Sequence, residues 1–196
     1  MTTKTIKIGK TISLANIAKP KVELKNVHFG YSREWGPMGR FDADLWINGI
    51  KCLKAIDEGN GGCIDYEYYT YNNPKANEVQ ANIKLLESYI KTLPKTSLGG
   101  VHEGGKLVMF TMDMDLFINS LLDKREKDKA QKKLQKLFVT AIVFGNDKGY
   151  RMYNFNQPLT TVPKATIQQY YMQAKGMCKK DEIILNTNLK ELGINL

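Results

Sequence analysis

"FDADLWINGIKCLKAI", residues 41–56, decides the fold. Phe41, Ala43, Leu45 and Ile47 alternate with Asp42, Asp44 and Trp46, the period-two pattern of a strand with one buried face. Asn48-Gly49 supplies the two positive-φ residues that a type I′ turn demands. "IKCLKAI" (50–56) then returns. A two-residue turn predicts the pairing: Ile47 opposite Ile50, Leu45 opposite Cys52, and Phe41 opposite Ile56, all on the core face. On the other face Trp46 lies opposite Lys51, where a cation–π contact is expected.

The reading extends outward from this hairpin. "KVELKNVHFGYS" (21–32) alternates and predicts a strand, while "REWGPMGR" (33–40) reads as a loop. "DEGNGG" (57–62) leads into a third strand, "CIDYEYY" (63–69), completing a meander. Asn73-Pro74 predicts a helix start, with Asn as cap and Pro in the first turn. Val79, Ile83, Leu86 and Ile90 recur at helical spacing until Leu93-Pro94 ends the run. "SLGGVHEGG" (97–105) reads as a glycine loop and "KLVMFTM" (106–112) as a short strand. A second helix opens at Asp113 or Asp115 and runs to Leu137. "LFVTAIVFG" and "GYRMYNFN" form a hairpin around "NDKG", a third helix covers 164–175, and "DEIILN" closes the ordered part. The expected fold is α+β: an antiparallel β-meander plus a second β-hairpin, packed with three helices. Residues 1–20 read as a basic arm or edge strand, and 21–196 as a single domain.

The net charge of +9 favours anionic partners: nucleic acid, nucleotides or an acidic protein. Residues 1–40 hold eight Lys/Arg against two Asp/Glu, which assigns most of the excess to the N-terminal fifth. No stretch approaches the roughly 20 apolar residues that span a bilayer, so no membrane association is expected. The N-terminus lacks the apolar core of a signal peptide. Three cysteines, Cys52, Cys63 and Cys178, suit a reducing cytoplasm rather than a disulfide scaffold.

Phe41, Ala43 and Leu45, then Asn48-Gly49, then Ala55, Glu58, Gly59, Gly61 and Gly62 form an F-x-A-x-L strand, an N-G turn and a G-x-G-G loop. This combination resembles a group of small uncharacterised bacterial and phage proteins. Leu137-Phe138, expected on the strand after the charged helix, and Ile184-Leu185-Asn186 match the second half of that group. The group often carries histidine at the third loop position; this chain has Asn60, so the resemblance implies no catalytic imidazole. It implies a mobile-element setting and supplies no activity.

The glycine loop Gly59, Asn60, Gly61, Gly62 reads first as a turn and second as a ligand loop. Phosphate loops run from a strand into a helix, whereas this one runs strand to strand, with Asp57 and Glu58 repelling an anion. Trp46 and Lys51 join it as candidate ligand contacts. Tyr66 and Tyr68 share a strand face and could stack bases, although tyrosine is also ordinary strand composition. "DKREKDKAQKK" carries Lys124, Arg125, Lys127, Lys129, Lys132 and Lys133, either a solvated helix face or a surface for an anionic partner. His28 and His102 have no Cys or His at zinc spacing, and no nucleophile–base set, P-loop or Rossmann fingerprint occurs.

The expectation is a non-catalytic cytoplasmic accessory protein of a phage or mobile element that binds nucleic acid. No catalytic residue, metal or cofactor is assigned, and a homo-oligomer is allowed. The alternative is a counter-defence sponge or inhibitor that sequesters a signalling nucleotide or binds an acidic host protein. A third reading is a metal-dependent hydrolase using Asp42, Asp44 or Glu67.

Overall fold

The computed structural model describes residues 18–32 and 36–194. The expected N-terminal arm therefore lies outside the described residues, apart from 18–20, which have no regular structure. The described residues fall into two compact units, divided between Leu122 and Asp123. The division lies inside a continuous helix rather than in a linker.

In the first unit, β1 (Val22–Ser32), β2 (Gly36–Ile47), β3 (Ile50–Asp57) and β4 (Asp65–Tyr68) form the antiparallel meander in sequence order. Asn48 and Gly49 carry φ of 50° and 82°, as the turn demands. The register departs from the expected pairing. Leu45 faces Leu53, Ala43 faces Ala55 and Phe41 faces Asp57. The cause is a β-bulge at Cys52: two consecutive core residues, Cys52 and Leu53, are both fully buried. Residues 36–40 form strand where a loop was expected. There β2 continues along β1, with Gly30 opposite Arg40 and Ser32 opposite Gly36.

Helix α1 (Ala76–Ile90) buries Val79, Ile83, Leu86 and Ile90 against the sheet. It starts three residues after the expected cap. Asn73 Oδ1 instead accepts from Lys75 N at 2.9 Å, in a turn that precedes the helix. Asn82 fastens the helix to the hairpin, donating to Ile47 O and accepting from Asn48 Nδ2 at 2.9 Å. The expected glycine loop at 97–105 is largely strand: β5 (Thr96–Glu103) pairs with β6 (Lys106–Phe110) around Gly104-Gly105, whose φ values are 56° and 77°. Asp113 caps α2 (Met114–Phe138), accepting from Leu116 N at 2.8 Å. Phe117, Ile118 and Leu122 of α2 complete the core of the first unit.

In the second unit, β7 (Ala141–Asn146) lies between β8 (Gly149–Asn154) and β9 (Ile183–Ile184). Leu137 and Phe138 end α2 rather than opening the strand, as the resemblance had implied. Ile142 and Phe144 face a core shared with Ile167, Tyr171 and Ala174 of α3 (Lys164–Met177). Ala141 and Val143 face the other way, toward Leu134, Leu137 and Phe138. The architecture is α+β.

Candidate anion-binding surfaces

The candidate ligand contacts of the first unit do not form one site. Ala55 faces Tyr66 and Leu53 faces Tyr68, so both tyrosines sit on the core face of the meander. Tyr66 packs against the core, and its hydroxyl donates to Asp115 Oδ1. Burial and the Asp115 carboxylate push its pKa well above the ordinary tyrosine value. Tyr66 is thus a packing residue, not an exposed stacking platform. Tyr68 is exposed, beside a groove of about 310 Å³ that Ile83, Lys84 and Glu87 of α1 also line.

Trp46 and Lys51 pair across the opposite face, as expected, but not with each other's side chains. The cation over the Trp46 ring is Lys25 Nζ, 4.0 Å from the centroid. Trp46 Nε1 is buried and finds no acceptor among the described residues. Lys51 turns instead to Asp44, at 2.9 Å, and lies 4.3 Å over the Tyr69 ring. Asn26 Nδ2 donates to the same carboxylate at 2.7 Å, and the Tyr69 hydroxyl at 3.3 Å. Burial raises the pKa of Asp44, but the bonds from Lys51, Asn26 and Tyr69 outweigh it and hold the carboxyl below its usual range. Asp42 pairs with Lys54 at 3.4 Å, and Glu23 with Lys21 and Lys25. Charges on this face are therefore matched within the sheet, which leaves little field for an anion.

The glycine loop also serves itself. Asp57 Oδ1 accepts from Gly59 N at 2.8 Å, and Asn60 Oδ1 accepts from Gly62 N at 3.1 Å. Those amides are taken up by side-chain turns, the arrangement that Asp and Asn favour in loops.

The basic excess lies elsewhere. Residues 123–196 hold fourteen Lys/Arg against seven Asp/Glu, a net +7. Residues 41–122 hold seven against eleven, a net −4. The N-terminal excess of +6 is thus exceeded by one of +7 in residues 123–196, which a whole-chain count conceals. The middle of α2 carries much of it. Lys124, Arg125, Lys127, Lys129, Lys132 and Lys133 are all exposed on the helix. Lys129, Lys132, Lys133 and Lys136 recur at helical spacing along one stripe about 10 Å long. Lys136 extends this stripe beyond the stretch singled out from sequence; its i+3 and i+4 spacing was the available signal. Glu126 pairs with Lys129 at 3.6 Å, an exposed contact of small energy. Lys124, Lys127, Lys132, Lys133 and Lys136 make no ion pair among the described residues.

Among the described residues, no helix is long and apolar enough to cross a membrane. No protein-family model, curated protein or solved structure matches this chain.

Proposed function

We propose that this chain binds an anionic partner, most simply nucleic acid, through the basic surface of residues 123–196. One observation carries the reading: the lysine stripe of α2 is exposed and, apart from Lys129, without an ion pair among the described residues, whereas the lysines on the outer face of the meander are ion-paired. Lysines on one helix face neutralise phosphates without reading sequence, so the binding is expected to be sequence-tolerant. The hydrolase reading has less support, because Asp42 and Asp44 each hold a lysine. The setting we propose is the cytoplasm of a cell carrying a phage or mobile element, as the resemblance of the strand, turn and loop implies.

Fluorescence anisotropy with labelled single-stranded and duplex oligonucleotides, across a salt series, tests this. Affinity should fall steeply with salt, with a slope that drops by about 0.7–0.9 for each phosphate-contacting lysine removed. Replacing Lys129, Lys132, Lys133 and Lys136 together by Glu should abolish binding of oligonucleotides that carry no terminal phosphate and leave the circular dichroism spectrum unchanged. Undiminished affinity in that folded variant overturns the proposal.

A further inference from the structure

A second basic feature of residues 123–196 is a cleft of about 400 Å³ between the β7–β8 turn and residues 179–182. Its volume falls in the roughly 300–1,000 Å³ range of small-molecule sites. Lys148, Tyr150, Arg151, Lys179 and Glu182 line it together with Asn146. Three cations therefore face one carboxylate.

The walls are tied together. Asn146 Oδ1 accepts from Lys148 N at 3.0 Å and so holds the turn, while its Nδ2 donates to Asp181 Oδ2 at 2.9 Å. Arg151 Nη2 donates to Glu182 Oε2 at 2.5 Å and to Met177 O at 3.0 Å. The same guanidinium lies 4.8 Å over the Phe144 ring. Glu182 Oε2 also accepts from Lys179 N at 2.9 Å. Gly145 permits the close approach of the strands: a Cβ there would lie 2.3 Å from Gly149 O and 2.7 Å from Tyr150 Cα.

This arrangement leaves donors unused. Both Arg151 hydrogen bonds leave from Nη2, so among the described residues Nε and Nη1 have no acceptor. A guanidinium presents five N–H donors in a fixed fork suited to phosphate, and here its orientation is already set. The Lys148 and Lys179 ammonium groups form no ion pair among the described residues. Tyr150 follows in the strand, opposite Gly145, and also borders the cleft.

We propose that this cleft binds a terminal phosphate group, held by Lys148, Lys179 and the free Arg151 donors. The proposal does not rest on the α2 stripe. The same chemistry comes from a free mononucleotide or from the phosphorylated end of a strand.

Isothermal titration of the full chain with AMP, GMP, CMP, UMP and inorganic phosphate tests it. Nucleoside monophosphates and inorganic phosphate should both bind. The Lys148→Glu/Lys179→Glu variant should weaken them about tenfold or more. The α2 charge-reversal variant should bind mononucleotides as the parent does, which separates the two readings. In that same variant, a 5′-phosphorylated oligonucleotide binding more tightly than both its 5′-hydroxyl counterpart and the mononucleotides assigns the cleft to strand ends; mononucleotides binding as tightly assign it to free nucleotides. Amide exchange should slow on binding at 146–151 and 178–182. Absence of binding at about 1 mM nucleotide, or binding unchanged in the folded Lys148→Glu/Lys179→Glu variant, overturns the proposal.

Discussion

The Tyr66 hydroxyl donates to the Asp115 carboxylate, joining β4 to the first turn of α2 across 49 residues of chain. The other carboxylate oxygen accepts from Ile64 N at 3.2 Å, so Asp115 serves both the strand and the segment leading into it. Tyr66→Phe keeps the ring in the core and removes one hydrogen bond to a charged acceptor. It should lower unfolding free energy by about 1.5–3 kcal/mol. Chemical denaturation measures this directly; a loss under about 0.5 kcal/mol would place Tyr66 among ordinary surface positions.

Stability should be bounded on both sides of the pH scale. Asp44 is held below its usual carboxylate range, so its contribution is present above the unfolded value of about 4 and disappears as pH falls through the folded value. Tyr66 is raised by burial and Asp115, and Lys51 by its bonds to Tyr69 and Asp44. Their contributions are complete below about pH 10 and are lost as pH rises through the folded values. Melting temperature against pH should show a plateau with two falling limbs. Asp44→Asn should flatten the acid limb, and Tyr66→Phe the alkaline one. Limbs unchanged in these variants would assign the titration to other groups.

Thiol reactivity should separate the three cysteines. Cys63 is exposed, Cys178 half-buried and Cys52 fully buried at the bulge. Burial raises the thiol pKa of Cys52 and Cys178, which lowers the thiolate fraction of each. Iodoacetamide labelling followed by peptide mass spectrometry should therefore modify Cys63 first, Cys178 more slowly, and Cys52 only on unfolding. Early labelling of Cys52 would contradict the bulge.

How far the sequence could be read follows from the range of the interactions involved. Asn48-Gly49 and the Val79–Ile90 periodicity act over a few residues, and both elements formed where their residues indicated. The bulge left a local trace in the adjacent core residues Cys52 and Leu53, but an unbroken two-residue hairpin rule overrides that trace. Gly99 and Gly100 look like loop residues in isolation, yet they lie within β5, whose two ends pair with β6 across the Gly104-Gly105 turn. The α2 lysines were legible because an exposed helix face needs nothing from the rest of the chain. The Lys148–Lys179 cleft was not, because its walls meet through long-range contacts such as Asn146–Asp181 and Arg151–Glu182, at separations of 35 and 31 residues.

Asn186, marked in the sequence only by its place in the resemblance, takes the part of a strand partner. Its Oδ1 accepts from Val143 N at 2.6 Å, and its Nδ2 donates to Ala141 O at 2.9 Å. One side chain thus satisfies a donor and an acceptor of β7 where β9, only two residues long, has ended. Asn188 continues the arrangement, with Nδ2 donating to Phe138 O at 2.9 Å, at the last turn of α2. Asn186→Ala would leave two buried backbone groups of β7 unpaired, at a cost of about 2–4 kcal/mol. Asn186→Asp should be no gentler. It keeps an acceptor for Val143, but it sets a carboxylate against Ala141 O and Asn188 Oδ1, where the amide had donated. Native-state hydrogen exchange provides the specific readout: the Val143 amide should lose protection in Asn186→Ala by more than the amides of α3 do. A uniform loss across the second unit would mean that Asn186 contributes packing alone.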